Sequence, residues 1–532
     1  MNKAFLILLL CLLAQFQMQA QLKSGKVEVT WGEGQNSSRK VVFDDIIGSD
    51  ESGIYVIKKM FKGNSPLLIE RYNHKMILEK SLPTKIGGKK DERSYEYGAQ
   101  IDGKLFLFTT MLDRKSKTIL LFMQHIDSKT LKPSDKLTKV GTIGYSIGSK
   151  VNSGSFTYQI SADEKRILIY YSLPTKKGEN KKFFYHMYDS NLNKLWEKKI
   201  ALSYQQELIE VVDIEISKNG DLFLLSRIFQ NEVTDEIKGR PNYHYQISAY
   251  SNNGNTIKQY PIFLGDRFIT DMKIVLNDNG DIICGGFYSD SGTMSINGSY
   301  FLKINLESKE IISINFKEFG LDVITQNMTD KQKQKAKRRE ARGKDIEFFQ
   351  YDLNDIVLLE NGGAILIGEQ YFFRVATYND SQGNLRTTSH YFYNDIIVTS
   401  INARDQISWT ERIAKRQHTI NDGGFYSSYS LLIANDQLNF IFNDNINNLV
   451  TSKITIGKAK GAVYVFSRNS KTSTAALVQI DSDGRQVKEA LFNAKDTEIL
   501  ICPKVSEKIS NKEMVIYGRN GSTEQFGLIK FK

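Results

Sequence analysis

The sequence predicts an all-β protein built from one repeated unit, and three observations carry that reading. Short β-branched and aromatic runs follow Asn-Gly and Asp-Gly type turns, unit after unit, at intervals of roughly 50 to 80 residues. Aromatic residues are plentiful, with 30 Phe and 26 Tyr, while Pro is scarce at 7, which excludes collagen-like and proline-rich classes. Across 532 residues, 41% are hydrophobic and 25% charged, enough for a large core and too apolar for a disordered chain.

The first half of each unit is a turn leading into an apolar run, the pattern of a tight hairpin. It occurs at Ser52-Gly53 before 54–57, Asp102-Gly103 before 105–108, Asp163-Glu164 before 167–171 and Asn219-Gly220 before 222–225. It recurs at Asn279-Gly280 before 282–286, Asn361-Gly362 before 364–368, Asn435-Asp436 before 438–442 and Asn511-Lys512 before 514–518. The second half is strand, polar turn, strand, as in 188–197, 250–255, 402–411 and 480–487. Two hairpins make a four-stranded antiparallel sheet, and one such sheet cannot bury both of its faces alone. Radial stacking solves that problem, so the expected architecture is a β-propeller of eight four-stranded blades. Seven blades and two smaller β domains are the competing arrangements. The eighth unit runs to Lys532 with about three strands, and the alternating segment Lys26-Val27-Glu28-Val29-Thr30-Trp31 is expected to supply its outer strand and close the ring.

The blade pattern resembles β-propellers over nearly the whole length after residue 20. The Trp-Asp and Gly-His signatures of WD40 blades are absent, and no specific family is indicated.

Residues 1–20 read as a cleaved secretory signal: Lys3, an apolar run from Ala4 to Ala14 and a small residue at Ala20. The run spans about 11 residues where a membrane helix needs roughly 20, and Leu10 before Cys11 does not suit a lipoprotein signal. No later stretch is apolar enough for a helical span. The short strands, many apolar on both faces, argue for a soluble exported protein over a membrane barrel. The Lys-, Asn- and Ile-rich composition and the Ala20-Gln21 junction resemble exports of Gram-negative bacteria of the Bacteroidota type, implying a periplasmic, outer-membrane-associated or extracellular place. Of 3 cysteines, Cys284 and Cys502 follow the leader, and both are expected as small buried hydrophobes.

No catalytic motif appears. There is no sialidase-type Asp turn, the three tryptophans (Trp31, Trp196, Trp409) are too few for a quinone-dependent propeller, and no GxSxG elbow or P-loop is present. The six histidines (His74, His125, His186, His244, His390, His418) have no metal-ligand spacing, so neither a metal nor a cofactor is expected. One constellation stands out. Asp45, Asp213, Asp271 and Asp355 recur near the starts of the predicted innermost strands, at the mouth of the channel. There they would bind a cation or sugar hydroxyls or do acid/base work; the plainer alternative is that each bonds neighbouring backbone within its blade.

In an antiparallel blade the second-to-third connections and the inter-blade connections emerge on one face. The long insertions, 174–182, 230–242, 373–390, 443–460 and 321–345, fall mainly there, which marks it as the expected functional surface. Within the last of these, 331–344 holds eight basic residues and one acid, a net +7 in a chain of net +11, so this is a basic protrusion on a near-neutral body. Thr329-Asp330 and Gly343 frame it as a helix without an apolar face. Lys333, Lys335, Lys337, Arg338, Arg339 and Arg342 are its candidate contacts to an anionic surface. A merely solubilising excursion is an equal reading. The expected loop carrying Tyr371, Phe373 and Tyr378 adds aromatic faces suited to sugar or peptide, or else continues strands. The sequence therefore points to a non-enzymatic exported binding or scaffold protein with a protein or glycan partner of the cell envelope, nucleic acid being improbable. A glycan-active hydrolase or lyase using the channel acids is the alternative.

Overall fold

The computed structural model describes residues 21–23, 27–36, 41–61, 66–87, 92–144, 156–173, 175–305, 308, 310–325, 330–342, 348–450, 463–469 and 471–532. The leader at 1–20 and Lys344 lie outside the described residues, as do parts of the insertions at 174–182, 321–345 and 443–460.

The eight sequence units become eight antiparallel sheets, blades 1 to 8 in chain order, each with its first strand innermost. The innermost strands are Val41–Asp50, Arg93–Ile101, Phe156–Ile160, Ile209–Ile216, Phe268–Leu276, Tyr351–Leu358, Ser430–Ala434 and Glu507–Ser510. The continuous apolar runs of the sequence are the second strands, and burial explains them. Ile282–Ser289 is buried at all eight positions and Gln437–Asn445 at all but its two end residues, because a neighbouring blade covers each side of the sheet. Outermost strands project beyond their neighbours and alternate instead, as Leu78–Thr84 does. Cys284 and Cys502 are buried free thiols.

Between blades lie eight apolar clusters, one per seam. Ile57 meets Leu107 between blades 1 and 2, Phe108 meets Ile169 between 2 and 3, and Tyr185 meets Leu224 between 3 and 4. Leu225 and Ile274, Phe287 and Leu366, and Ile367 and Phe440 fill the next three seams. Leu477 packs with Ile516 between blades 7 and 8, and Val515 packs with Val56 between 8 and 1. An open row of eight sheets has seven seams, so the eighth closes the ring. Each fully buried large apolar side chain contributes about 1.5–3 kcal/mol. Within blade 5 the first and second strands approach closely at Gly286, where a Cβ would sit 2.0 Å from the Asp271 carbonyl oxygen.

The closing blade is assembled from both ends of the chain. Val27–Trp31 pairs antiparallel with Thr523–Phe531, running from Val27 opposite Phe531 to Trp31 opposite Gly527. Val27, Val29 and Trp31 point into the core, and Trp31 meets the Phe492 ring edge-on at 5.3 Å. A further short strand, Gln21–Lys23, adds outside Val27–Trp31, so the closing strand is not the outermost.

The closing seam also holds a buried charge cluster. Lys58 on the second strand of blade 1 pairs with Glu70 of the same blade at 2.9 Å and with Glu524 of blade 8 at 2.8 Å. Tyr72 donates to Glu70 at 2.7 Å, Tyr517 donates to Glu524 at 3.0 Å, and Lys58 also reaches Gln35 at 3.0 Å. One ammonium thus joins two carboxylates belonging to opposite ends of the fold.

Two stability measurements test the closure. Trp31→Ala is expected to cost about 3–5 kcal/mol, read as a lowered denaturation midpoint with the β-sheet circular dichroism retained. Lys58→Met removes the cation that Glu70 and Glu524 share; a loss of about 3–5 kcal/mol is expected, read as a lowered denaturation midpoint.

Candidate functional site

Each of the four channel acids sits in the middle of its innermost strand, one residue past a bulge, and not at the strand's start. The register shifts between Phe43 and Asp45, Val211 and Asp213, Ile269 and Asp271, and Leu353 and Asp355. The extra residue bends the strand, and the aspartate takes up the freed backbone. In all four, one carboxylate oxygen accepts from the next residue's N–H: Ile46 at 2.9 Å, Ile214 at 3.0 Å, Met272 at 2.9 Å and Ile356 at 2.8 Å. Two acids also reach the following blade. The second oxygen of Asp213 accepts from Ile274 N–H at 3.2 Å, and that of Asp271 from Leu353 N–H at 2.7 Å. Asp213 and Asp271 therefore pin blade 4 to 5 and blade 5 to 6.

The acids have different electrostatic partners. Asp213 and Asp355 interact electrostatically with Glu215 and Lys273, whereas Asp45 interacts with Glu507 of blade 8. Burial, reinforced by Asp213, pushes the Glu215 carboxyl up to about 7, and burial with Asp45 beside it brings Glu507 to about 7. Burial likewise raises Asp45 and Asp271 to about 6 and shifts Asp355 upward. Glu215 and Glu507 carry this chemistry as much as the aspartates do; Glu215 stands two residues past Asp213 on the same strand, which is the signal that would have found it, whereas Glu507 opens the short inner strand of blade 8 with no such mark. Among the described residues no group of three or more His, Cys, Asp or Glu side chains is arranged to hold a metal ion.

On the face with the long connections, the basic segment forms the helix Asp330–Glu340 between blades 5 and 6. Ala336 is its one buried residue, set against the short helix Leu321–Thr325. That short helix is itself anchored: Ile324 enters the seam of blades 5 and 6, and its carbonyl accepts from Arg412 at 2.9 Å. Beyond the basic helix, Phe348–Phe349 pairs with Ser295–Ile296 of blade 5's own insertion. Lys335, Lys337, Arg338, Arg339 and Arg342 are exposed and Lys333 is half-buried. A helix with one small buried contact keeps its cations in water.

The aromatic segment is not a loop. Ala364–Asn379 and Leu385–Ile401 are the second and third strands of blade 6, prolonged beyond the sheet as a hairpin. Its aromatic and β-branched residues favour strand, and Asp380 organises the turn by accepting from Gln382 and Asn384 N–H. A third strand, Gln417–Ile420, joins at His390–Tyr393. Tyr371 stacks near Tyr393 at 4.6 Å and Phe373 near Tyr391 at 5.0 Å, on one side of the hairpin. Phe373 and Tyr378 are 47% and 52% exposed, so both present ring faces outward, while Tyr371 is half-buried. The hairpin rises beside the basic insertion: Gln370 donates to the Phe349 carbonyl at 2.8 Å, and Tyr371 N–H to that of Gln350 at 3.1 Å.

Two features here were not foreseen from sequence. Lys415, fully buried, fixes the hairpin's base through Glu369 at 2.6 Å, the Tyr393 carbonyl and Gln417, with Ser428 donating to the second Glu369 oxygen at 2.7 Å. A cleft of about 380 Å³ opens between blades 4 and 5, where His244 stacks on Phe263 at 4.9 Å beside Arg240 and Arg267.

No protein-family model matches the sequence, and no curated protein does. Among solved structures, the chain is similar to the WD40 domain of SCAP from fission yeast, at 8% identity over 96% of this chain and 98% of that one, with a TM-score of 0.37. It is also similar to prolyl oligopeptidase B of Galerina marginata (10% identity, 76% of this chain, 55% of that one, TM-score 0.34). The α-L-arabinanase of Penicillium chrysogenum matches at 9% identity over 54% of this chain and 98% of that one, TM-score 0.29. None of these likenesses bears on chemistry.

The raised carboxyls make a pH-dependent prediction. A carboxyl whose folded pKa lies above its unfolded one holds its proton more tightly when folded, so it favours folding at low pH and loses that contribution as pH rises. For Glu215 and Glu507 the window runs from 4.5 to about 7. Glu215→Gln and Glu507→Gln are each expected to gain stability relative to the parent across that window, with little difference below it, as measured by thermal melting from pH 4 to pH 8.

Proposed function

We propose that the protein is an exported, non-enzymatic binding or scaffold propeller that recognises an anionic protein or glycan partner of the cell envelope through its insertion-bearing face. The observation that carries this reading is the basic helix Asp330–Glu340, which lies in the chain between blades 5 and 6: Lys335, Lys337, Arg338 and Arg339 stand in water on the helix, and Arg342 in the turn that follows it. A cluster of that charge on a body otherwise near neutral concentrates a polyanion locally. Its reach is short, because salt screens exposed charges over about 8 Å at physiological ionic strength. Specificity must then come from adjoining groups, and the exposed Phe373 and Tyr378 rings of the neighbouring hairpin supply apolar faces of the kind that sugars or peptide side chains stack on.

A glycan-active hydrolase or lyase is the second reading, favoured by one observation: Glu215 and Glu507 titrate at about 7, where a carboxyl serves as a general acid near neutrality. It ranks second because Asp213 and Asp271 are occupied in hydrogen bonds between blades. Turnover of any member of a glycan panel that disappears in Asp355→Asn or Glu215→Gln would reverse the order.

The leading reading is tested on a carboxylated or sulfated polysaccharide matrix. The parent chain is expected to be retained at low salt and released as salt rises. A variant with Lys333, Lys335, Lys337, Arg338, Arg339 and Arg342 changed to Gln is expected to lose on the order of tenfold or more in affinity, with its melting temperature unchanged. Identical elution of the two proteins would remove the helix from the binding surface.

A further inference from the structure

On the prolonged hairpin of blade 6, two histidines 28 positions apart in sequence face each other: His390 Nδ1 lies 2.9 Å from His418 Nε2. They are diagonal neighbours on one side of the three-stranded extension, since His418 stands opposite Phe392, two residues along from His390. Aromatic stacking holds both rings. His418 lies parallel to Phe392 at 4.4 Å, Phe392 lies on Phe372 at 4.4 Å, and the two imidazoles are within 13° of parallel.

The proton positions follow from the next shell. The Thr388 hydroxyl lies 3.4 Å from the Ala376 carbonyl and 3.1 Å from His390 Nε2, and in the tautomer where it donates to that carbonyl it accepts from His390 Nε2–H. His390 Nδ1 is then an unprotonated nitrogen aimed at His418, whose Nε2–H donates to it. Orienting the distal nitrogen of a ligand histidine in this way is the usual device of protein metal sites. If the His418 proton moves to Nδ1, both facing nitrogens offer lone pairs to a shared cation, with no net loss of protons. At metal–nitrogen distances of about 2.0–2.1 Å, two nitrogens at this spacing subtend about 90°. That is the angle between adjacent ligands of a tetragonal ion; a tetrahedral one needs them farther apart.

We propose that His390 and His418 form a two-imidazole site for a divalent transition-metal ion of tetragonal preference, copper(II) foremost, with water completing its coordination. Copper(II) ranks highest because it leads the affinity order for nitrogen ligands. The charged side chain facing the pair is Arg374, directly across from His390. Its guanidinium opposes a bound cation, so the site is of moderate affinity. This inference is independent of the partner-binding reading above.

The test is titration of the metal-free full chain with copper(II) chloride, followed by calorimetry and electron paramagnetic resonance at pH 7.5. One equivalent per chain is expected, with a tetragonal spectrum showing hyperfine coupling to two nitrogens. His390→Ala and His418→Ala should each weaken binding by at least about tenfold, Thr388→Ala by about tenfold through loss of the oriented tautomer, and Arg374→Gln should tighten it. His418→Gln, close in shape and on a half-buried strand, stands in should either alanine variant fail to fold. Absence of a stoichiometric two-nitrogen species, or affinity unchanged in His390→Ala or in the folded His418 variant, would overturn the proposal.

Discussion

A four-stranded sheet with two apolar faces cannot leave either of them to water, and every larger feature of this molecule follows from that constraint. The second strand of each blade is buried on both sides, so each blade needs two neighbours and no blade can be terminal. The ring satisfies the requirement eight times, and the last seam is made by recruiting Val27–Trp31 to a blade whose remaining strands lie at the other end of the chain. The charge cluster of Lys58, Glu70 and Glu524 sits at that seam. Buried ion pairs add little net stability against an apolar alternative, but they penalise misregistration severely. Its position fits a role in specifying which edge meets which.

Much of this architecture was legible in the sequence, because burial on both faces writes itself as uninterrupted apolar runs after a turn. The runs at 54–57, 222–225 and 282–286 are such second strands. The alternation of Val27, Val29 and Trp31 likewise marked a strand with one face in a core. The hairpin at 364–401 was harder to read, since its strands outgrow the blade and its outer residues face water on both sides, which removes the alternation that distinguishes strand from loop. The aspartates were found, but not their place in the middle of the strand, because each follows a bulge and a bulge inserts a residue without any compositional mark.

The sites themselves were only partly visible. A charge run such as the basic helix is local and announces itself. Lys415 with Glu369, and His390 with His418, join residues 46 and 28 positions apart, brought together by strand order and not by spacing. The acids show the converse. Four recurring aspartates suggested a shared centre, yet the fold divides their electrostatic partners between Asp45 with Glu507 and Asp213 with Asp355, Glu215 and Lys273. Recurrence in a repeat protein reflects the same backbone problem solved in each copy, here an inner-strand bulge with an exposed N–H, before it reflects convergence on a ligand.

The contact between Gln525 and Gly32 spans 493 positions of the chain, and pairings of that separation are the slowest to form. Val27–Trp31, whose outer edge the adjacent Gln21–Lys23 covers, must wait until the final strand arrives, carrying three apolar side chains and one bare backbone edge throughout. Such an intermediate is open to pairing with a second copy of itself, each chain lending its leading strand to the other's incomplete wheel. Dilution, a holding chaperone, or delivery to a compartment one molecule at a time would decide whether the clasp fastens within one chain or between two.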